Sequence, residues 1–103
     1  MLWAPITKNE LQDIIDQQLS ECTHDLIAIF NEYRVPLILA PIVRYENVEG
    51  VFVVARKNNN VLYFEDVEEG FNFSPINEEG LILEHWCNQD SLRFALQKWL
   101  SNN

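Results

Sequence analysis

Two strand-like segments joined by an asparagine-rich loop constrain most strongly how this chain folds. Val51 to Arg56 is rich in β-branched residues and apolar on both faces, and Val61 to Phe64 is its apolar counterpart. Residues 57–60 lie between them, and asparagine tolerates the positive φ that tight hairpins require. The sequence therefore predicts an antiparallel hairpin in the middle of the chain.

The segments around this hairpin predict the rest of a sheet. Residues 37–45 are strand-like, but Pro41 cannot donate to a ladder, which favours an edge strand, a bulge or two short pieces. We expect residues 46–50 to form a turn, residues 65–80 a loop and residues 81–84 a further strand. The expected sheet is an antiparallel meander of three to four strands.

Helical periodicity marks both ends of the chain. Thr7 and Glu10 fit a capping box, and an apolar stripe follows at helical spacing. The stripe extends to Tyr33, so residues 8–34 form either one long helix or two helices that meet near residues 23–25. The last helix is predicted from the spacing of Leu92, Ala95, Leu96, Trp99 and Leu100.

Helices, then strands, then a helix are typical of the α+β class. We expect the helices to pack on one face of the sheet, and the other face to be partly solvated or used for binding. The 103 residues correspond to a single domain, residues 1–103. A chain of this size, 48% hydrophobic, can build a core without a metal or a disulfide.

The charge balance excludes some classes of partner. Seven Lys and Arg stand against 16 Asp and Glu, a net charge of −9. Nucleic acids and anionic membranes are bound through Lys and Arg, so neither is an expected partner. The sequence contains no run of eighteen apolar residues, so it predicts no membrane span. The N-terminal residues lack the basic region of a secretion signal. We therefore expect a cytoplasmic protein with reduced cysteines.

One third of the chain carries nearly the whole net charge. Between Asn58 and Leu92 there are eight Asp and Glu but no Lys or Arg. This stretch is either a solvated loop that keeps the protein soluble and monomeric, or a docking surface for a basic protein with aromatic anchors. The candidate partner-binding residues are Tyr63, Glu65, Asp66, Glu68, Glu69, Phe71, Phe73, Glu78 and Glu79.

The cysteines and histidines of the chain lie in two triplets. Cys22 and His24 are separated by one residue, and so are His85 and Cys87. Four such ligands suit tetrahedral zinc, but one intervening residue is atypical of zinc knuckles. On a continuous helix, Cys22 and His24 also point in different directions. We expect no metal and no cofactor, and we keep a zinc site and a Cys22–Cys87 disulfide as alternatives.

Sequence motifs of catalysis are absent: the chain has no Gly-rich phosphate loop, no HExxH and no GxSxG. The sequence therefore predicts a non-enzymatic binding protein that acts by protein–protein interaction. Its most concrete form is an immunity-type inhibitor that neutralises a basic toxin such as a nuclease. The alternatives are a small acidic secretion-type chaperone acting as a dimer, and a metal-binding regulator or enzyme that uses the Cys/His triplets. The oligomeric state stays open.

Overall fold

The computed structural model describes residues 6–44, 46–66, 69–84 and 89–101. Two helices are followed by four strands and a last helix, which confirms the predicted α+β class. The elements are α1 (Lys8–Leu19), α2 (His24–Tyr33), β1 (Arg34–Arg44), β2 (Asn47–Lys57), β3 (Asn60–Glu65), β4 (Gly70–Pro75) and α3 (Leu92–Ser101).

Threonine caps set where the two N-terminal helices begin. Thr7 and Glu10 form the predicted capping box: the N–H of Glu10 donates to the Thr7 hydroxyl, and the N–H of Thr7 donates to the Glu10 carboxylate, both at 3.1 Å. Thr23 has an extended backbone, and its hydroxyl accepts from the N–H of Leu26 at 3.2 Å. Residues 8–34 therefore contain two helices.

The sheet is an antiparallel meander in the order β1-β2-β3-β4. The predicted central hairpin is confirmed: Lys57 pairs with Asn60, and Asn58 takes a positive φ of 56° between them. Pro41 lies on the edge strand β1, where its missing N–H removes no bond to β2.

Three local predictions differ from the structure. Residues 46–50 are not a turn, because β2 begins at Asn47 and Val48 pairs with Val43. Residues 65–80 are not all loop, because β4 pairs residue by residue with β3. Phe71 and Phe73 alternate with Asn72, which is strand periodicity that the many acids around it obscured. The strand expected over residues 81–84 is reduced to isolated bridges at Ile82.

All three helices pack on one face of the sheet, as predicted. Aromatic and aliphatic side chains of β2, β3 and β4 meet the apolar stripes of the helices there. The core of this helix-covered face contains Leu11, Ile15, Leu26, Phe30, Phe52, Val54, Ala55, Leu62, Phe64, Phe71, Leu92, Ala95, Leu96 and Trp99.

The second face of the sheet also carries a buried core, and it is solvated only in part, toward β1, where Ile38 is exposed. Its core contains Ala40, Ile42, Val51, Val53, Val61, Tyr63, Ile76 and Ile82. Ile82 pairs with Ile42 of β1 in parallel and with Ile76, just after β4, in antiparallel. Ile82 therefore bridges the two edges of the sheet. The segment that follows β4 covers the second face. The radius of gyration is 13.0 Å, in line with about 13 Å for a compact domain of roughly 100 residues.

Candidate protein-binding surface

Three of the nine candidate residues lie inside the fold. Tyr63 and Glu65 are fully buried and Phe71 is 1% exposed. The Tyr63 hydroxyl donates to the carbonyl of Glu84 at 3.3 Å, and the Phe71 ring meets Phe64 edge-on with centroids 5.1 Å apart. Tyr63 belongs to the core of the second face, Phe71 belongs to the core of the helix-covered face, and Glu65 is buried at the end of β3. They offer no contact surface to a partner, so the structure removes them from the candidate set.

The other candidates are divided between two places. Phe73 is half-buried and packs against the core of the helix-covered face. Glu78 and Glu79 are exposed on a turn that follows β4. Asp66 and Glu69 lie in the connection between β3 and β4. Glu68 lies outside the described residues.

The turn that carries Glu78 and Glu79 has a fixed shape. The Asn77 side chain accepts from the N–H of Glu79 at 3.0 Å and from that of Leu81 at 2.9 Å. Gly80 donates to the Asn77 carbonyl and has a φ of 82°, a conformation that glycine adopts without a steric penalty. This turn borders a groove along β1, whose lining contains neither Asp66 nor Glu69.

Asp66 and Glu69 lie opposite carboxylates of α1 that the sequence analysis did not select. A groove of about 480 Å³ between the two segments is lined by Ile6, Glu10, Asp13, Ile14, Phe64, Asp66 and Glu69. A second groove of about 340 Å³ shares Ile14, Phe64 and Glu69 with the first and extends to Glu21. We call the two together the acidic groove, because five carboxylates surround an apolar floor: Glu10, Asp13, Glu21, Asp66 and Glu69.

Hydrogen bonds between segments hold the acidic groove in shape. The N–H of Ile6 donates to the Asp66 carboxylate at 3.1 Å, which ties the start of α1 to the β3–β4 connection. The N–H of Leu92 donates to the Gln18 side chain at 2.6 Å, which ties α1 to α3. Of the five carboxylates, Glu10, Asp13, Glu21 and Glu69 are exposed and Asp66 is half-buried. Among the described lining residues none is Lys or Arg.

The helical spacing of the α1 carboxylates is the signal that the sequence analysis missed. Within α1, Glu10, Asp13 and Gln17 recur at intervals of three and four, which places them on one side of the helix, and Glu21 follows two residues after the helix ends. Such a polar side is ordinarily a solvated surface. Only the fold shows that it faces the acidic β3–β4 connection.

The Cys and His residues give no described ligand cluster. Cys22 is half-buried, and its thiol donates to the carbonyl of Gln18 at 3.5 Å. Burial raises the pKa of this thiol, which favours its neutral, unreactive form at neutral pH. His85 and Cys87 lie outside the described residues. Within the part of the chain that is described, no three His, Cys, Asp or Glu side chains are placed to hold a metal ion.

Across the described ranges, no helix combines the length and apolarity needed to cross a membrane. Comparison of the chain with protein-family models, with curated proteins and with solved structures found no match.

Proposed function

We propose that this chain is a non-enzymatic cytoplasmic binding protein whose acidic groove docks a basic surface of a partner protein. Its most concrete form is an immunity-type inhibitor of a basic toxin such as a nuclease. The observation that carries the proposal is the convergence of carboxylates from two distant segments, α1 and the β3–β4 connection, around one groove.

Electrostatics supports a cationic occupant. Five carboxylates around one groove repel one another, and none of the described lining residues is a Lys or Arg that relieves this repulsion. The field of such a surface extends over a Debye length, about 8 Å at physiological salt. A Lys- or Arg-rich surface would therefore be steered toward the groove and would associate faster than a neutral one.

The apolar floor of the acidic groove favours a protein as its occupant rather than a small cation. Ile14 is half-buried and Phe64 lies beneath the carboxylates, so the groove has an apolar base and a charged rim. Protein interfaces commonly have an apolar centre within a polar rim. In this arrangement, the rim mainly governs the rate of association and the centre mainly governs the rate of dissociation.

Two charge-matched double variants test the proposal. Asp13→Asn with Glu69→Gln removes two exposed charges from the acidic groove, whereas Glu78→Gln with Glu79→Gln removes two exposed charges from a different surface. Wild type and both variants serve as bait for capture from a lysate of the source cells, followed by mass spectrometry. The proposal expects one basic, toxin-like protein that wild type and the Glu78/Glu79 variant retain and the Asp13/Glu69 variant loses.

An acidic or neutral partner, or a basic partner retained equally by all three baits, would contradict the proposal. The chaperone alternative has a different signature. It predicts that the protein sediments as a dimer and captures an extended secreted segment.

A further inference from the structure

A groove separate from the acidic groove runs along the edge of the sheet, between β1 and the turn at residues 76–80. We call it the edge groove; its volume is about 370 Å³, within the range of roughly 300–1,000 Å³ that ligand pockets occupy. Buried side chains form its floor: Ala40, Val53, Val61 and Ile76. Ile38 and Leu39 on its β1 wall are 61% and 59% exposed. The groove thus opens from solvent onto the core of the second face.

At one end of the edge groove, the backbone of β1 already forms a hydrogen bond with one neighbouring residue, Ile82. The N–H of Ile82 donates to the carbonyl of Pro41 at 2.9 Å, so that carbonyl points away from β2. Alternate residues of a strand direct their N–H and C=O to the same side. Leu39, two residues before Pro41, therefore directs its backbone groups toward the edge groove.

The chain leaves this edge at Gly80. Its φ of 82° belongs to the turn that precedes Ile82 and leads residues 77–80 away from β1. The ladder that Ile82 begins against β1 therefore stops after one residue. The edge groove occupies the space in which a continuing strand would lie beside Leu39.

We propose that the edge groove binds an extended peptide segment of a partner protein, which adds beside β1 and continues the ladder that Ile82 begins. This is β-strand addition: main-chain hydrogen bonds supply affinity, and pockets for alternate side chains supply specificity. Small or branched apolar side chains of the segment enter the floor between Ala40 and Ile76. This site is separate from the acidic groove and does not depend on its function.

Two charged side chains that line the edge groove indicate which charges the bound segment carries. Arg56 and Glu79 are the charged residues that line it, and both are exposed. The Arg56 Nε donates to the carbonyl of Asn58 at 2.8 Å, a bond that does not use the two terminal guanidinium nitrogens. A matching segment carries a carboxylate that reaches Arg56 and a cationic side chain that reaches Glu79.

A second copy of the chain fits this edge less well than a lone segment. The β1–β2 register is irregular between Arg34 and Ile38, and Pro41 has no N–H and already bonds Ile82 through its carbonyl. The available edge between these points is only a few residues long. Such an edge suits one short strand rather than a ladder between two folded sheets.

The test uses fluorescein-labelled peptides of alternating Val and Thr with Asp at one end and Lys at the other, made in both sequence directions. Fluorescence anisotropy measures their affinity for wild type, for Ile38→Glu and for Val48→Glu. Val48 is 69% exposed on the same β1–β2 hairpin, but it pairs with Val43 on the opposite face from Ile38. We expect Ile38→Glu to weaken binding about ten-fold or more, and Val48→Glu to leave it unchanged.

Two further variants sharpen the result. Arg56→Gln should abolish the preference for an Asp-ended over an Asn-ended peptide, and the Asp13/Glu69 double variant should bind the peptides as wild type does. Circular dichroism confirms that each variant is folded. The proposal is overturned if neither peptide binds wild type, if Val48→Glu weakens binding as much as Ile38→Glu, or if sedimentation shows a dimer that Ile38→Glu dissociates.

Discussion

The backbone N–H of Ile6 donates to the carboxylate of Asp66 at 3.1 Å, although the two residues lie sixty positions apart in the sequence. This bond joins the residue before the cap of α1 to the connection between β3 and β4. It therefore helps to hold the two acidic segments on either side of the acidic groove.

Removing the acceptor of this bond should cost stability. We expect Asp66→Ala to lower the free energy of unfolding by about 1.5–3 kcal/mol, the usual net contribution of a hydrogen bond to a charged group. Asp13→Ala is the matched control, because it removes a carboxylate from the same groove at an exposed position. Urea denaturation of both variants provides the comparison, and equal losses would show that the Ile6–Asp66 bond contributes nothing.

The buried position of Phe71 predicts a stability effect rather than a binding effect. Phe71→Ala removes a ring that packs on Phe64 and should lower the free energy of unfolding by about 3–5 kcal/mol. Phe94→Ala, at a position that is 52% exposed on α3, should change it by less than about 0.5 kcal/mol. Chemical denaturation measures both, and a Phe71 variant as stable as wild type would contradict the assigned burial.

Two glycines should respond in opposite directions to the same substitution. Gly80→Ala places a side chain at a φ of 82° and should destabilise the protein by about 1–2 kcal/mol. At Gly50 an added Cβ lies 3.5 Å from the nearest Leu39 atom, an ordinary contact. Gly50→Ala should therefore be neutral or stabilising by about 0.4–1 kcal/mol. Thermal unfolding distinguishes the two, and a more stable Gly80 variant would contradict the turn geometry.

The raised pKa of Cys22 predicts slow alkylation in the folded state. In a Cys87→Ser background, iodoacetamide at pH 8 should modify the folded protein more slowly than the same protein in urea, because less thiolate is present. The stability linked to this thiol is complete below the pKa of the unfolded thiol and is lost as pH rises through the folded pKa. Equal alkylation rates in the folded and unfolded states would contradict the effect of burial.

The sequence predicted the elements whose signals are local. The Thr7–Glu10 box and the Asn58 hairpin each depend on a few neighbouring residues and are confirmed, and of the three alternatives for Pro41 the structure shows the edge strand. The sequence does not predict β4, because the charges of its flanking residues obscure the short alternation of Phe71 and Phe73.

The candidate surface was only partly predictable, because it depends on long-range packing. The distribution of charge along the sequence indicates Asp66 and Glu69, whereas Glu10 and Asp13 join them through the docking of α1 against the sheet. Glu65 follows the same strand alternation as Tyr63 and faces the buried second face, although it is the same residue type as the exposed Glu69. Charge density along the sequence therefore could not separate inward-facing from outward-facing acids.

The most direct test of the central claim is the association rate with the captured basic partner at low and at physiological salt. The acidic groove predicts that the Asp13→Asn/Glu69→Gln variant associates several-fold more slowly at low salt, with a flatter salt dependence. The Glu78→Gln/Glu79→Gln variant, with the same net charge, should associate as fast as wild type if the effect is local to the groove. Equal association rates for the two double variants at both salt concentrations would contradict the claim that the acidic groove docks the partner.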